Sequence, residues 1–159
     1  MYYFSNEFLE GLQTKSEGFQ NKFYEIIDNI NGYIVGEEKK KEFQELIEKK
    51  HSYSSTGNIL YSTKKHISNF SSPEEVDKKI HSFVMNLFNS FDAGEIISQV
   101  PHIIVCVSAP ESHYDSFDLE VLEAEITLER IIGDYPDFDT SVFLKNTDEE
   151  ISCYVACLK

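Results

Sequence analysis

His102-Ile103-Ile104-Val105-Cys106-Val107-Ser108 is the stretch on which the fold turns. From Ile103 to Val107 it is apolar without interruption, a run too short for a helix and the pattern of a strand covered on both faces. Further along, Ile151, Cys153, Val155 and Cys157 alternate with Tyr154, Ala156 and Leu158, so this second strand is also apolar on both sides. Between the two, 118–134 reads as a helix that is apolar at Leu119, Val121, Leu122, Ile126, Leu128, Ile131 and Ile132 and ends at Gly133. Tyr135-Pro136-Asp137 turns the chain into a strand at 140–145, which Asn146-Thr147-Asp148-Glu149 joins to the following strand as a hairpin.

Upstream, Ser72-Pro73-Glu74-Glu75 is a capping box with proline at the first helical position. Val76, Ile80, Phe83, Val84, Leu87, Phe88 and Phe91 follow it as one buried stripe. Before that helix, 58–63 reads as a short strand. The first fifty residues are helical, with Phe8, Leu9, Leu12, Phe19, Phe23, Ile26, Ile27 and Ile30 near helical spacing. Asn31-Gly32 supplies a stop, and a second short helix covers 41–50. The expected fold is α+β, a two-layer sandwich with a mixed four-stranded sheet (β-α-β-α-β-β) preceded by a long N-terminal helix that covers the second sheet face. Its expected segments are a helical one, 1–50, and an α/β domain, 51–159.

The chain has 159 residues, with 28 Asp and Glu against 14 Lys and Arg, a net charge of −14. Nucleic-acid binders that track phosphates need basic stripes, so this balance disfavours that class. Residues 110–159 hold 13 acids and 3 bases and so carry −10 of the total. No apolar run approaches the ~20 residues of a membrane span, and the start lacks the regions of a signal peptide. A cytoplasmic protein with no membrane or nucleic-acid partner is expected. The three cysteines show no CxxC and no metal-ligand spacing, which fits reduced, buried thiols and no metal.

Single-residue candidates are few. His51-Ser52-Tyr53 and His66-Ile67-Ser68 have the His-x-Ser form of two-histidine phosphoesterases, but ordinary surface histidines are the simpler reading. His102, at a strand start, and His81, beside a helical stripe, read as structural. Glu149-Glu150 and Asp137/Asp139 are carboxylate pairs whose turn positions suit solubility better than catalysis. Cys106, Cys153 and Cys157 lie on core strands, where cysteine acts as a small apolar residue.

The order of elements, read with these residues, resembles the C-terminal domain of the FtsZ/tubulin family. Ser5-Asn6-Glu7-Phe8-Leu9 is similar to the opening of that family's core helix, and Lys40-Lys41-Glu42-Phe43-Gln44-Glu45-Leu46 to the acidic loop after it; Asp28-Asn29-Ile30-Asn31 offers a second register. The best stretches are 118–124, Tyr135-Pro136-Asp137-Phe138-Asp139-Thr140-Ser141-Val142-Phe143 and Glu150-Ile151-Ser152-Cys153-Tyr154-Val155-Ala156-Cys157. The chain departs from the family in lacking its GTP-binding domain and glycine-rich phosphate loop. The resemblance therefore implies no cofactor in isolation, and GTP only with a separate nucleotide-binding domain. It implies guanine-side positions at Asn6 and Glu7, and carboxylates at Glu42 and Glu45 that act in trans on a neighbouring subunit's nucleotide.

Two functions are expected from this reading. The first is a protein-protein interaction domain, part of or partner to a polymer-forming GTPase of cell division or plasmid or phage segregation, not an enzyme alone. Its partner is an FtsZ/tubulin-like GTPase domain or a second copy. The alternative is a small acidic inhibitor or immunity protein that masks a basic enzyme such as a nuclease toxin. On the first of these readings the chain begins near the family's core helix, as a standalone binding module or as the second half of a split or excised protein.

Overall fold

The computed structural model describes residues 2–51, 60–67, 74–75, 78–79, 82, 86, 102–110, 139–146 and 151–158. The fold is α+β: helices α1 (Asn6–Gln13), α2 (Glu17–Asn31) and α3 (Glu37–Lys50) precede strands β1 (Leu60–Ile67), β2 (His102–Ala109), β3 (Asp139–Asn146) and β4 (Ile151–Leu158). Residues 74, 75, 78, 79, 82 and 86 are helical, inside the stretch where the capping box predicts a helix. The capping serine and proline of that helix, its apolar stripe, the 118–134 helix and the carboxylates at 137, 149 and 150 lie outside the described residues.

The long N-terminal helix is corrected to two. Ser5 caps α1 by accepting from the Phe8 amide at 3.2 Å, and the Thr14 hydroxyl closes it by donating to the Gly11 carbonyl at 2.6 Å. Two residues later Ser16 starts α2 by accepting from the Phe19 amide at 3.2 Å. Each such cap satisfies a donor that a helix end otherwise leaves open and contributes about 1 kcal/mol, so two serines placed before apolar runs favour two helices. The helix expected at 41–50 starts earlier, at Glu37, and takes in the charged run. Glu37 and Glu38 sit in its first turn and Lys49 and Lys50 in its last, matching the helix dipole at both ends.

Gly36 precedes α3 at φ 95, ψ 137 with no side-chain cap. A Cβ there would meet nothing within 4 Å, so its cost is backbone strain alone. We expect Gly36→Ala to lower stability by about 1–3 kcal/mol, read as an earlier urea midpoint.

The sheet order is β1-β4-β2-β3, with β2 and β3 parallel and β4 antiparallel to both β1 and β2. This overturns the hairpin: β4 does not pair with β3 but enters between β1 and β2. All eight residues of β4 are buried, which suits a strand with neighbours on both edges and helices or chain over both faces. The polar strands take the edges. β1 runs on past the expected 58–63 through Lys64, Lys65 and His66, with its register held to Ile67 opposite Ile151; lysine is well placed on an edge strand.

One face of the sheet carries the helices. Ile104, Cys106, Tyr154, Ala156 and Leu158 pack with Phe8, Leu12, Phe23, Ile26, Ile27, Ile30, Phe43 and Ile47 in a single core. The cover expected from one helix is thus supplied by three. Val105, Val107, Ile151, Cys153, Val155 and Cys157, which point the other way, are also buried. Residues 2–5 bind the outer layer together: the Tyr3 amide donates to Gln44 Oε1 at 2.6 Å and the Ser5 amide to Glu48 Oε1 at 2.5 Å.

Candidate functional site

The helical layer leaves an open cleft of about 450 Å³ where the α2–α3 turn, α3 and β3 meet. Its lining is mixed: Ile34, Val35, Phe43, Leu46, Phe143 and Leu144 are apolar, Tyr33 adds a hydroxyl, and Lys39 and Glu42 contribute charge. Phe43 meets Phe143 edge to face at 5.2 Å between centroids, which fixes α3 on β3 and shapes the floor. Val35 is 66% exposed, a large apolar side chain held out to solvent beside the opening. Apolar lining with a few charges is the make-up of a binding cleft.

Glu42 and Glu45 both lie on the exposed side of α3. Glu42 lines the cleft, whereas Glu45 stands 4.0 Å from Lys41 one turn away, an exposed pair that contributes a few tenths of a kcal/mol. Asn6 and Glu7 occupy the first turn of α1 and are exposed. Here α1 is an eight-residue helix, so they do not open a long core helix. The Ser5–Glu48 bond sets the start of α1 beside the last turn of α3. The two pairs chosen from the sequence therefore belong to neighbouring elements, and their tie runs through Ser5 and Glu48.

The histidines divide differently from the sequence reading. His51 is not a surface residue: it is 2% exposed and stacks on His102, 1% exposed, with ring centroids 5.6 Å apart and planes 4° apart. The facing nitrogens are 3.4 Å apart, and His102 Nε2 meets the Ser141 hydroxyl at 2.8 Å. This column links the end of α3 to β2 and β3. Burial, then the neighbouring His51 and Lys50, push His102 down to about 3, so it is neutral near pH 7. His102 is structural, as expected from its strand start. His66, the other motif histidine, is opposite Ser152, while His102 is opposite Leu158, six residues along β4. That separation is roughly 20 Å, too far for two histidines to share one phosphoryl group.

Burial raises the Cys106 thiol well above its usual range and Cys157 to about 12, so neither is an activated nucleophile. All three cysteines are buried and in no disulfide. The Tyr33 hydroxyl meets Ser152 Oγ at 2.9 Å, and its ring stacks on Tyr154 at 6.3 Å. Sequence reasoning missed Tyr33, since its partner lies 119 residues away. Among the described residues no three His, Cys, Asp or Glu side chains gather so as to hold a metal ion, and no helix is long and apolar enough to cross a membrane.

No protein-family model, curated protein or solved structure matches the chain.

Proposed function

We propose that this chain is a non-covalent protein-binding module of the FtsZ/tubulin C-terminal kind, a two-layer sandwich on a four-stranded sheet that works with a separate GTPase domain or a second copy. The observation that carries this reading is the open cleft beside α3, with Phe43, Leu46 and Phe143 in its lining together with Glu42 and the exposed Val35. A partner's apolar side chain fills the cleft, and the exposed acids of α3 then face the partner. Glu42 and Glu45 act in trans by orienting the water that attacks the partner's bound GTP; Asn6 and Glu7, beside the end of α3, lie on the guanine side. The chain needs no cofactor of its own. We place it in the cytoplasm, where its buried thiols stay reduced.

The test mixes this chain with an FtsZ-type GTPase domain from the same cell and follows phosphate release. The mixture should exceed the partner's own rate, and Glu42→Ala with Glu45→Ala should remove roughly 10²-fold or more of the chemical step's gain. No gain from the wild-type chain would sink complementation. The same titration at rising salt separates the acidic-inhibitor alternative, because steering by net charge weakens steeply once the Debye length shrinks below ~10 Å.

A further inference from the structure

The two edges of the sheet are built differently. β1 carries Lys64, Lys65 and His66 towards its end, side chains of the kind that keep an edge strand from pairing with another chain. β3, at the opposite edge, is Asp139-Thr140-Ser141-Val142-Phe143-Leu144-Lys145-Asn146, charged near its two ends and apolar in its middle. Among the described residues its ladder runs to β2 alone. The cleft shows that space lies beside it. Successive strand residues point to opposite faces, so a cleft lined by both Phe143 and Leu144 reaches around the outer edge of β3. The backbone groups of such an edge are completed by another extended strand.

The strand that suits this edge best is β3 itself. Antiparallel pairing about a two-fold axis at Val142 sets Asp139 of each copy opposite Lys145 of the other, and Ser141 opposite Phe143. Opposite charges directly across a ladder favour pairing. The helix over this edge has the same polarity. α3 runs against β3, since Phe43 in its middle meets Phe143, while His51 at its end stacks on His102, whose Nε2 meets Ser141 nearer the start of the strand. The same axis therefore lays two α3 helices antiparallel over the joint, with the acidic first turn of one, Glu37 and Glu38, towards the basic last turn of the other, Lys49 and Lys50.

We propose that the outer edge of β3 pairs antiparallel with β3 of a second copy, forming one sheet continuous across both chains. The contact rests on the binding-module reading for its choice of a second copy, and it involves no nucleotide.

The experiment is sedimentation equilibrium of the full chain over rising concentration, at about 0.15 M salt so that repulsion between two chains of net charge −14 is screened. The mass should climb from that of one chain towards two, and the β3 amides should gain protection from hydrogen exchange over the same range. Lys145→Glu alone and Asp139→Lys alone each place like charges at both ends of the ladder and should weaken self-association by roughly tenfold or more. An equimolar mixture of these two variants has opposite charges at both ends again and should recover the dimer. A wild-type chain that stays monomeric, variants that dimerise as wild type does, or a mixture no tighter than its components would each overturn the proposal. Circular dichroism checks that each variant folds, and the concentration-dependent protection of the wild-type β3 amides needs no variant, so its absence overturns the proposal by itself. Phosphate release with a GTPase domain is a separate readout: a monomer that still raises it removes this contact and leaves complementation standing.

Discussion

Acidification from pH 6.5 towards pH 3 will destabilise this protein through His102 alone, by roughly 1 kcal/mol per pH unit. In the unfolded chain this imidazole takes up a proton near its ordinary value of 6.5, whereas in the fold it does so only near 3. Between those values unfolding binds a proton, so stability falls as pH falls. The contribution is complete above pH 6.5 and exhausted below pH 3. The groups around the ring explain the depression: burial first, then His51 stacked on it, then Lys50, while the Ser141 hydroxyl meets Nε2 without adding a charge. Carboxylates also titrate in this window, so the decisive measurement is a difference. Urea unfolding at stepped pH should show a steeper decline for wild type than for His102→Gln, which keeps a side-chain donor and acceptor without a titrating ring. Parallel declines in the two proteins would refute the account.

Phe23→Ala will be more damaging still at neutral pH, with an expected loss of about 3–5 kcal/mol. Phe23 is fully buried at the centre of an aromatic cluster, with ring centroids 5.5 Å from Phe4, 5.9 Å from Phe8 and 5.6 Å from Tyr24. Removing the ring deletes its transfer free energy and leaves a cavity lined by side chains fixed from three directions. Because a domain's whole stability is about 5–15 kcal/mol, this one change should bring the chain close to unfolding. Phe19→Ala, at a half-buried position four residues earlier, should cost roughly 1 kcal/mol and serves as the comparison. Similar urea midpoints for the two variants would show that the cluster is not a principal anchor of the helical layer.

The legible parts of this fold are those with local causes. The apolar faces of α2 and of β2 and β4 can be read directly, since burial on one stripe or on both sides leaves a periodicity in the residues themselves. Ser16 before Phe19 carries the break between α1 and α2, but without a glutamate at the reciprocal position it is a weaker signal than a capping box. The hairpin misreading has a physical origin too. A short polar connector favours pairing of consecutive strands, yet the burial of every β4 residue requires a neighbour on each edge, and that demand won. His51 and Tyr33 were illegible for another reason: their partners lie 51 and 119 residues away, so no window of sequence contains both members. Of the site, the acids of α3 could be named in advance. The cleft beside them could not, because Phe143 and Leu144 join it only through the tertiary fold.

The placement of β4 governs how the molecule must come together. β1 and β2 share no ladder with each other; each meets the sheet's centre only through a strand synthesised after both, with β3 already made. During translation β1 and β2 are both made before the strand that unites them. β1, with its open backbone edge, must therefore wait, and the last pairing closes a loop of nearly the whole sheet-forming segment. Such long-range closure is slow. A nascent chain stalled before residue 151 should consequently remain sensitive to protease at β1, and acquire protection there only when β4 is released from the exit tunnel.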